Sequence, residues 1–277
     1  MNRTNPLAAQ TTVGIAGLGA IGTRVAEALV TGLDGYRLAA VGVRAAGPAR
    51  QRLAAIGAPP DVAVVALPEL AKHAEVIIEC ISAAGYVSLM RPALDAGGTV
   101  ITLSCSALLR HWDLVERARR HGGSIMVPSG ALLALDAVQA AANGRIDSVG
   151  MVTTKPVAAL RGAPYLAAHG IDLDALTEPA QVFAGTARDA SEGFPANLNV
   201  AAALALAGIG PDRTMIEVWA DPHGIRNRHE VVVEADSAHL RFTVEGQPSA
   251  NPRSGQLAAL SVIALLRKNG APLRIGT

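Results

Sequence analysis

The sequence predicts an α/β protein. An N-terminal Rossmann-type domain with a doubly wound parallel sheet is followed by a second α+β domain on a mainly antiparallel sheet. Three observations predict this class. Apolar strand-like segments alternate with helical segments over residues 13–128. A glycine-rich turn directly follows the first of these strands. After Pro128, three strand-like segments come in succession without helices between them. Alternation favours a parallel sheet with crossover helices, and clustered strands favour antiparallel pairing.

The N-terminal half carries six predicted strands with helices between them. The apolar segments predict strands at residues 13–16, 36–43, 62–65, 76–80, 99–103 and 124–127. The intervening segments predict helices at 24–31, 48–56, 67–72, 88–96 and 113–121. We assign residues 1–129 to this dinucleotide-binding domain, and we expect a closing helix within 253–277 to pack back on it.

The second domain is assigned to residues 130–252, with roles in substrate binding, catalysis and oligomerisation. An Ala/Leu-rich segment predicts a long helix at 131–143, and a second apolar segment predicts one at 197–207. Strands are predicted at 148–154, 181–187, 214–220, 228–235 and 239–244, and the closing helix at 254–268.

Composition excludes several classes of function. The chain has 277 residues, 24 basic and 23 acidic, with a net charge of +1. This balance argues against nucleic acid or an anionic membrane as partner. No apolar segment approaches the roughly 18 residues needed to cross a bilayer. The two cysteines lack zinc-site spacing, and no metal is expected. Residues 1–10 are interpreted as a disordered lead-in rather than a secretory signal. Cys80 and Cys105 are interpreted as buried free thiols in a reducing cytosol, so we expect a cytoplasmic protein.

The glycine turn at Gly17, Gly19 and Gly22 has the spacing of a dinucleotide fingerprint. Gly17 suits the tight turn, Gly19 lets the backbone approach a pyrophosphate, and Gly22 lets the helix pack on the strand. Ala20 and Ile21 then begin a helix, whose N-terminus carries a partial positive charge. The alternative is a structural turn without a ligand.

The residue after the second strand bears on the choice of cofactor. An NAD-preferring fold usually has Asp or Glu there, whereas this chain has Arg44, followed by Arg50 and Arg52. A guanidinium group matches a 2′-phosphate, so we expect NADP, with NAD as the alternative. The competing interpretation is a solvated basic loop.

Three segments of the second half contain candidate substrate-binding or catalytic residues. Ser129 and Gly130 stand at the predicted start of the 131–143 helix, where backbone N–H groups can hold a carboxylate, although Ser129 also suits an ordinary N-cap. Asn197 and Asn199 stand at the start of the next helix. Residues 219–230 place acidic, basic, amide and imidazole groups around a turn, and His229 begins a strand there.

Several of these segments together resemble the L-aspartate dehydrogenase family. The similarity extends from Gly14 to about Lys268, and the matching pieces are GIAGLGAIG, PSGALLALDAV, TTKP, FPANLNVAAALALAGIG, DRTMIEVWADP, NRHE and NPRSGQLAALSVIALL. The resemblance implies NAD(P)-dependent oxidative deamination of L-aspartate to iminoaspartate, and then oxaloacetate and ammonia, or the reverse reductive amination. It further implies that His229 is the active-site histidine and that Asn199 and Ala131 contact the cofactor.

Deamination needs a base, and a dicarboxylate needs anion sites. His229 is the candidate base, with Asn227 or Asp221 orienting its ring. Ser129 and Gly130 are one candidate anion site. The other is Lys155, or an arginine from the segment 226–228, although Lys155 is equally consistent with a solvated strand end.

Two segments depart from the family pattern, one after Cys80 and one at Ser104-Cys105-Ser106. They leave open a related oxidoreductase acting on another amino or hydroxy acid. A non-catalytic NAD(P)-binding sensor is the alternative from a different class. By fold-level analogy, the exposed face of the second sheet is expected to form a homodimer contact.

Overall fold

A computed structural model of the chain describes residues 10–247 and 256–276. These residues divide into two compact units. The first unit contains residues 10–102, Asp113–Met126 and Val262–Ile275, and the second contains Leu103–Trp112, 127–247, 256–261 and 276. The division differs from the predicted boundary at residue 129, because the segment Leu103–Trp112 belongs to the second unit.

The first unit is built on a six-stranded, fully parallel sheet. Its strand order is β3-β2-β1-β4-β5-β6, which is the doubly wound arrangement. The strands are β1 (Thr11–Ala16), β2 (Tyr36–Gly42), β3 (Ala63–Val65), β4 (Val76–Glu79), β5 (Thr99–Thr102) and β6 (Ser124–Met126). The predicted fold class is confirmed for this unit.

The connecting segments are helices, as the alternation predicts. They are α1 (Ala20–Gly32), α2 (Ala46–Ala55), α3 (Tyr86–Asp95) and α5 (Asp113–His121), with 3₁₀ turns at Leu67–Lys72 and Ala83–Gly85. Helix α5 has the predicted bounds. Its first turn is acidic and its last turn basic, so the charges complement the helix dipole at both ends.

The second unit is built on a five-stranded mixed sheet in the order β11-β10-β7-β9-β8. Only the central β7–β9 pair is parallel, and the other three pairs are antiparallel. The strands are β7 (Ile146–Pro156), β8 (Ala180–Thr186), β9 (Thr214–Asp221), β10 (Arg228–Ala235) and β11 (His239–Glu245). The mainly antiparallel sheet predicted for this unit is therefore confirmed.

Short helices accompany this sheet. They are α4 (Cys105–Arg110), α6 (Leu135–Ala141), α7 (Val157–Leu160), α8 (Pro164–Ala168), α9 (Ala187–Gly193) and α10 (Asn199–Ala207), with a 3₁₀ turn at Leu173–Ala175. Helix α11 (Gln256–Gly270) spans residues of both units. The hydrophobic core lies on one face of the sheet, where Phe194, Leu198 and Leu204 pack with Val218 and Val231.

The long helix predicted at 131–143 is wrong in its first turn. Helix α6 begins only at Leu135, because Ala134 is held in the left-handed region at a φ of 57°. Leu132 before it is buried, so packing overrides the helix propensity of this Ala/Leu segment. No helix therefore begins at Ser129 and Gly130.

Within the described ranges, no helix is both long and apolar enough to cross a membrane. The same residues contain no group of three or more His, Cys, Asp or Glu side chains that could hold a metal ion. The predicted lead-in up to residue 9 and the start of the closing helix at 254–255 lie outside the described residues.

Candidate active site

The turn after β1 requires glycine at two positions for steric reasons. Gly17 has a φ of +87°, and a Cβ there would lie 2.8 Å from the Cys80 carbonyl oxygen. A Cβ on Gly22 would lie 1.9 Å from the Gly17 carbonyl oxygen. Both approaches are to backbone atoms that cannot move aside, so these glycines set how closely α1 packs against β1 and β4.

The middle glycine differs. A Cβ on Gly19 would meet no atom within 4 Å, so the fold itself does not require glycine there. Gly19 is the N-cap of the 13-residue helix α1 and provides no side chain to cap it, and the first turn has no acidic residue. Ala20 is exposed and Ile21 half-buried in that turn. The open surface and the uncapped amides fit the pyrophosphate of a dinucleotide.

The arginines after β2 have different surroundings. Arg52, on α2, donates a 2.8 Å hydrogen bond to the Leu18 carbonyl and so braces the glycine turn. Arg44 is exposed beyond the end of β2, and it has no hydrogen bond or ion pair to any described residue. Arg44 is therefore available to an anionic ligand.

A buried carboxylate stands at the ends of β4 and β5, which the sequence did not indicate. Glu79 accepts hydrogen bonds from Ile81 N at 3.0 Å and from Thr102 Oγ1 at 2.9 Å, and the Tyr86 hydroxyl lies 3.2 Å from Thr102 Oγ1. Burial, and secondarily the charge of Glu79, raise the pKa of the Cys80 thiol well above its usual value. Cys80 is therefore protonated at neutral pH and a poor nucleophile.

In the second unit, the buried face of the sheet changes from apolar to polar at one end. Along β10, buried Val233 and Val231 are followed by His229, which is 3% exposed. Along the paired strand β7, buried Met151 is followed by Thr153 and Lys155. The register places His229 directly opposite Thr153. Period-two alternation thus brings three buried polar side chains to one end of an otherwise apolar face.

The imidazole is oriented by a threonine. The Thr153 hydroxyl lies 2.8 Å from His229 Nδ1, with both residues buried. Burial first, and the Lys155 charge second, lower the pKa of His229 to about 3. The ring is therefore neutral at physiological pH, and when Nδ1–H donates to Thr153, the lone pair of Nε2 is free to accept a proton. The sequence led us to expect a base with a near-neutral pKa. In the protein without substrate, the pKa of His229 is lower than that expectation.

Lys155 is a buried cation. It is 4% exposed, and burial lowers its pKa from 10.5 to about 8. Its ammonium group donates to Asn227 Oδ1 at 3.5 Å, which is a long contact. This placement excludes a solvated strand-end lysine. Lys155 remains mostly protonated at pH 7 and is suited to an anionic ligand.

The other predicted partners of His229 have local roles. Asp221 Oδ1 accepts a hydrogen bond from His223 N at 2.9 Å and closes the β9–β10 turn, rather than orienting the ring. Arg228 is exposed and paired with Glu230 and Glu245 at 3.1 and 3.6 Å. The partner of the ring at Nδ1 is Thr153, which the sequence did not single out.

The two asparagines before and at the start of α10 differ in role. Asn197 donates its side-chain amide to the Ala159 carbonyl and lies before the helix, so its contact is structural. Asn199, the first residue of α10, accepts a 3.0 Å hydrogen bond from Ser106 N. Since a backbone N–H can only donate, this contact fixes Oδ1 toward Ser106 and directs Nδ2 elsewhere.

The remaining predicted site segment is a loop. Ser129 is exposed, and its carbonyl accepts from Leu132 N at 3.1 Å. The Gly130 N–H donates to Ser261 Oγ at 3.1 Å, and Ala131 is half-buried. The helix-start carboxylate site predicted here is therefore wrong in its physical basis, because the helix is absent and one of the two N–H groups is occupied.

Sequence reasoning gave no role to Thr153 or Glu79. Thr153 could have been found from the alternation along β7, which puts it on the same face as Met151 and Lys155. Glu79 could have been found as a carboxylate ending a buried strand.

Comparison with known proteins gives the family. Residues 136–269 match the family model "Aspartate dehydrogenase, C-terminal", and residues 17–128 match "Homoserine dehydrogenase, NAD binding domain". The chain is 51% identical over 266 residues to L-aspartate dehydrogenase 3 of Bordetella bronchiseptica, covering 96% of this chain and 97% of that one. It is 49% identical over 265 residues to L-aspartate dehydrogenase of Bradyrhizobium diazoefficiens, covering 96% and 94%.

Among solved structures, aspartate dehydrogenase from Thermotoga maritima has a similar fold, with a TM-score of 0.70 at 22% identity, covering 96% of this chain and all of that one. The resemblance predicted from the motifs is therefore confirmed: the chain belongs to the L-aspartate dehydrogenase family.

Proposed function

We propose that the protein catalyses the NAD(P)-dependent oxidative deamination of L-aspartate to iminoaspartate, which hydrolyses to oxaloacetate and ammonia, or the reverse reductive amination. The observation that carries this proposal is the buried group of His229, Thr153 and Lys155 at the polar end of the sheet face. It combines a neutral base with a cation for a carboxylate, within a chain whose curated relatives are named L-aspartate dehydrogenases.

The chemistry has a proton step and a hydride step. When bound, the nicotinamide cofactor accepts the hydride from Cα of aspartate. His229 Nε2 takes the proton that the substrate ammonium must lose before the C–N bond gains double-bond character. The same imidazole can then assist the addition of water to the imine carbon. In the tautomer in which Nδ1–H donates to Thr153 Oγ1, Nε2 carries the lone pair and is the basic nitrogen.

Lys155 binds a substrate carboxylate in this scheme. A desolvated ammonium forms a strong charge-assisted hydrogen bond with a carboxylate. A carboxylate beside Lys155 also offsets the positive charge that lowers the pKa of His229. The pKa of the imidazole then rises, while burial, the larger cause of its low value, remains. Substrate binding and activation of the base are thereby linked.

The test is an activity panel. The protein is incubated with NADP⁺ or NAD⁺ and with aspartate, glutamate, malate or lactate, and the reduced cofactor is followed by absorbance. We expect turnover with aspartate. Turnover only with another acid would favour a related oxidoreductase, and cofactor binding without turnover would favour a sensor.

His229→Ala should lower kcat by about 10²-fold or more while the cofactor still binds. The matched control is His239→Ala, which changes an exposed histidine paired with Glu234 and should leave kcat unchanged. Near-normal turnover of His229→Ala would remove His229 from the catalytic role.

We further propose that NADP is preferred, because Arg44 is exposed at the end of β2 without an ion-pair partner in the described chain. Arg44→Ala should lower kcat/KM for NADP⁺ much more than for NAD⁺. Wild-type values that are equal for the two cofactors, or better with NAD⁺, would contradict the preference.

We also propose a homodimer formed through the open face of the second sheet. Met215 is 51% exposed there, and Val152 and Trp219 are half-buried on the same face. Exposed apolar surface of this kind favours self-association. Sedimentation should give a dimer, and Met215→Glu should weaken it.

We further propose that the protein works in a reducing compartment such as the cytoplasm. The low cysteine content of the chain fits such a compartment.

A further inference from the structure

Glu79 is a fully buried carboxylate to which the catalytic scheme assigns no role. It is the last residue of β4, and its neighbour in register on β5 is Thr102, which is also fully buried. Thr102 Oγ1 donates to Glu79 Oε2 at 2.9 Å, and Ile81 N donates to Oε1 at 3.0 Å. Hydrogen bonds accepted by both oxygens favour the charged form of a carboxyl group. Burying a charge costs free energy, so stability alone does not explain this residue.

The hydroxyl groups beside Glu79 suit an ionised carboxylate. The Thr102 hydroxyl has a single proton, which it donates to Glu79. The Tyr86 hydroxyl, 3.2 Å from Thr102 Oγ1 and fully buried, then donates to that oxygen. With Glu79 ionised, each hydroxyl proton in this chain has an acceptor. The network therefore supports a fixed negative charge at the end of β4.

This charge lies where the order of the parallel strands reverses. β1 and β4 are neighbours in the sheet, and Glu79 is paired with Ala16, the last residue of β1. A dinucleotide binds across the carboxyl ends of the strands at such a switch point, with its pyrophosphate at the glycine turn. Cys80 and Ile81 pack against that turn, since a Cβ on Gly17 would lie 2.8 Å from the Cys80 carbonyl oxygen and 3.0 Å from Ile81 Cγ2.

The half of the sheet that contains Glu79 is the half suited to the nicotinamide. In this fold the end of β2 contacts the adenosine ribose or its 2′-phosphate, so the adenosine belongs to the half formed by β1, β2 and β3. The nicotinamide belongs to the half formed by β4, β5 and β6. Its ring is positive in the oxidised cofactor and neutral in the reduced one, whereas the phosphates have the same charge in both. A fixed negative charge in this half therefore interacts differently with the two forms.

We propose that the Glu79 carboxylate shifts the affinity of the site toward the oxidised form of the nicotinamide cofactor, acting on the ring through its charge and without contacting it. This inference rests on the proposed function, because it takes a nicotinamide cofactor as the ligand. Glu79 is then a specificity-determining residue for the redox state of the cofactor. Its charge also favours the direction in which the reduced cofactor gives its hydride to the imine carbon, since that step leaves the ring positive.

The experiment measures binding rather than turnover. Dissociation constants of the whole protein for NADP⁺ and NADPH, and for NAD⁺ and NADH, are determined by isothermal titration calorimetry. Glu79→Gln removes the charge and keeps the shape of the side chain, whereas Glu79→Asp keeps the charge and shortens the side chain. The matched control is Glu75→Gln. Glu75 is an exposed carboxylate at the opposite end of β4, and it accepts a 2.9 Å hydrogen bond from Thr12 N.

Glu79→Gln should raise the dissociation constant of the oxidised cofactor about threefold to tenfold and leave that of the reduced cofactor unchanged, as expected for the loss of one partly screened charge. Glu79→Asp should keep the wild-type ratio of the two constants. Glu75→Gln should change neither constant. Glu79→Met removes the same charge and gives the same prediction if Glu79→Gln does not fold.

Equal weakening of both redox forms by Glu79→Gln would give Glu79 a structural role only and would overturn the inference, as would two unchanged constants. The proposed function fails separately. A wild type that binds both redox forms but does not oxidise aspartate would contradict the proposed function and leave the role of the Glu79 charge to the binding ratio. A wild type active on aspartate, with an unaltered ratio in Glu79→Gln, would refute only the present inference.

Discussion

Replacing Lys155 with methionine should stabilise the protein while impairing it as an enzyme. Lys155 is 4% exposed, and burial lowers its pKa from 10.5 to about 8. A shift of this size means that folding a protonated Lys155 costs roughly 3 kcal/mol. Methionine has a similar length and no charge, so Lys155→Met should recover most of that free energy at pH 7.

The pH dependence of this gain has a defined sign. Below pH 8 both the folded and the unfolded chain hold the proton, so the full destabilisation is present. Between pH 8 and 10.5 the folded state releases its proton first, and the stability of the wild type rises. The advantage of Lys155→Met should therefore fall from roughly 3 kcal/mol at pH 7 to about 1 kcal/mol at pH 10.

The measurement is urea unfolding of wild type and variant at a series of pH values, compared at each pH. Lys72→Met is the matched control, because Lys72 is exposed and its charge is never desolvated. In parallel, kcat/KM for aspartate should fall about tenfold to a hundredfold, as expected for the loss of a charged hydrogen bond. A gain in stability that is absent at pH 7, or is the same at pH 7 and pH 10, would refute the assignment of Lys155 as a desolvated cation.

Three further predictions concern the glycine turn after β1 and the buried group of His229, Thr153 and Lys155. Thr153→Val should lower kcat about tenfold or more and the free energy of unfolding by about 1–3 kcal/mol, because His229 Nδ1 loses its partner. Thr153→Ser keeps the hydroxyl and should restore both values. A loss of stability with unchanged kcat would assign Thr153 a structural role only. Gly19→Ala should raise the dissociation constant of the cofactor and leave the thermal midpoint unchanged. Gly17→Ala should lower the thermal midpoint, because it places a Cβ against the Cys80 carbonyl. Equal thermal midpoints of the two variants would contradict this distinction. Because the pKa of His229 is lowered from 6.5 to about 3, its contribution to stability is complete above pH 6.5 and is lost as the pH falls toward 3; acid unfolding of His229→Asn should lack that component.

The parts of the fold that the sequence could predict are set by short-range physics. The glycine turn is one case, since a left-handed residue and two close backbone approaches leave little choice of residue at Gly17 and Gly22. Helix α5 is another, since its end charges and apolar spacing fix both of its ends. The doubly wound class of the parallel sheet follows from the alternation of strands and helices together with right-handed crossovers.

The parts that could not be predicted depend on long-range contacts. The bond between Thr153 and His229 joins residues 76 positions apart, and it requires the pairing of β10 with β7 in one particular register. A shift of one residue would turn His229 to the opposite face of the sheet. The loop before α6 is a similar case, because the left-handed Ala134 opposes the local preference for helix.

The polar end of the sheet face is better explained by function than by stability. The same face holds Val231, Val233 and Met151 in the core, so apolar residues at positions 153, 155 and 229 would extend an existing hydrophobic surface. The chain instead places there a cation with a pKa lowered to about 8 and an imidazole with a pKa lowered to about 3. Both shifts oppose folding near neutral pH or below, and they share burial as the leading cause. A charged ligand can stabilise groups that destabilise the free protein in this way. One bound carboxylate would pair with Lys155 and would also relieve the repulsion that disfavours a protonated His229. The instability is therefore localised where an acidic substrate would offset part of it.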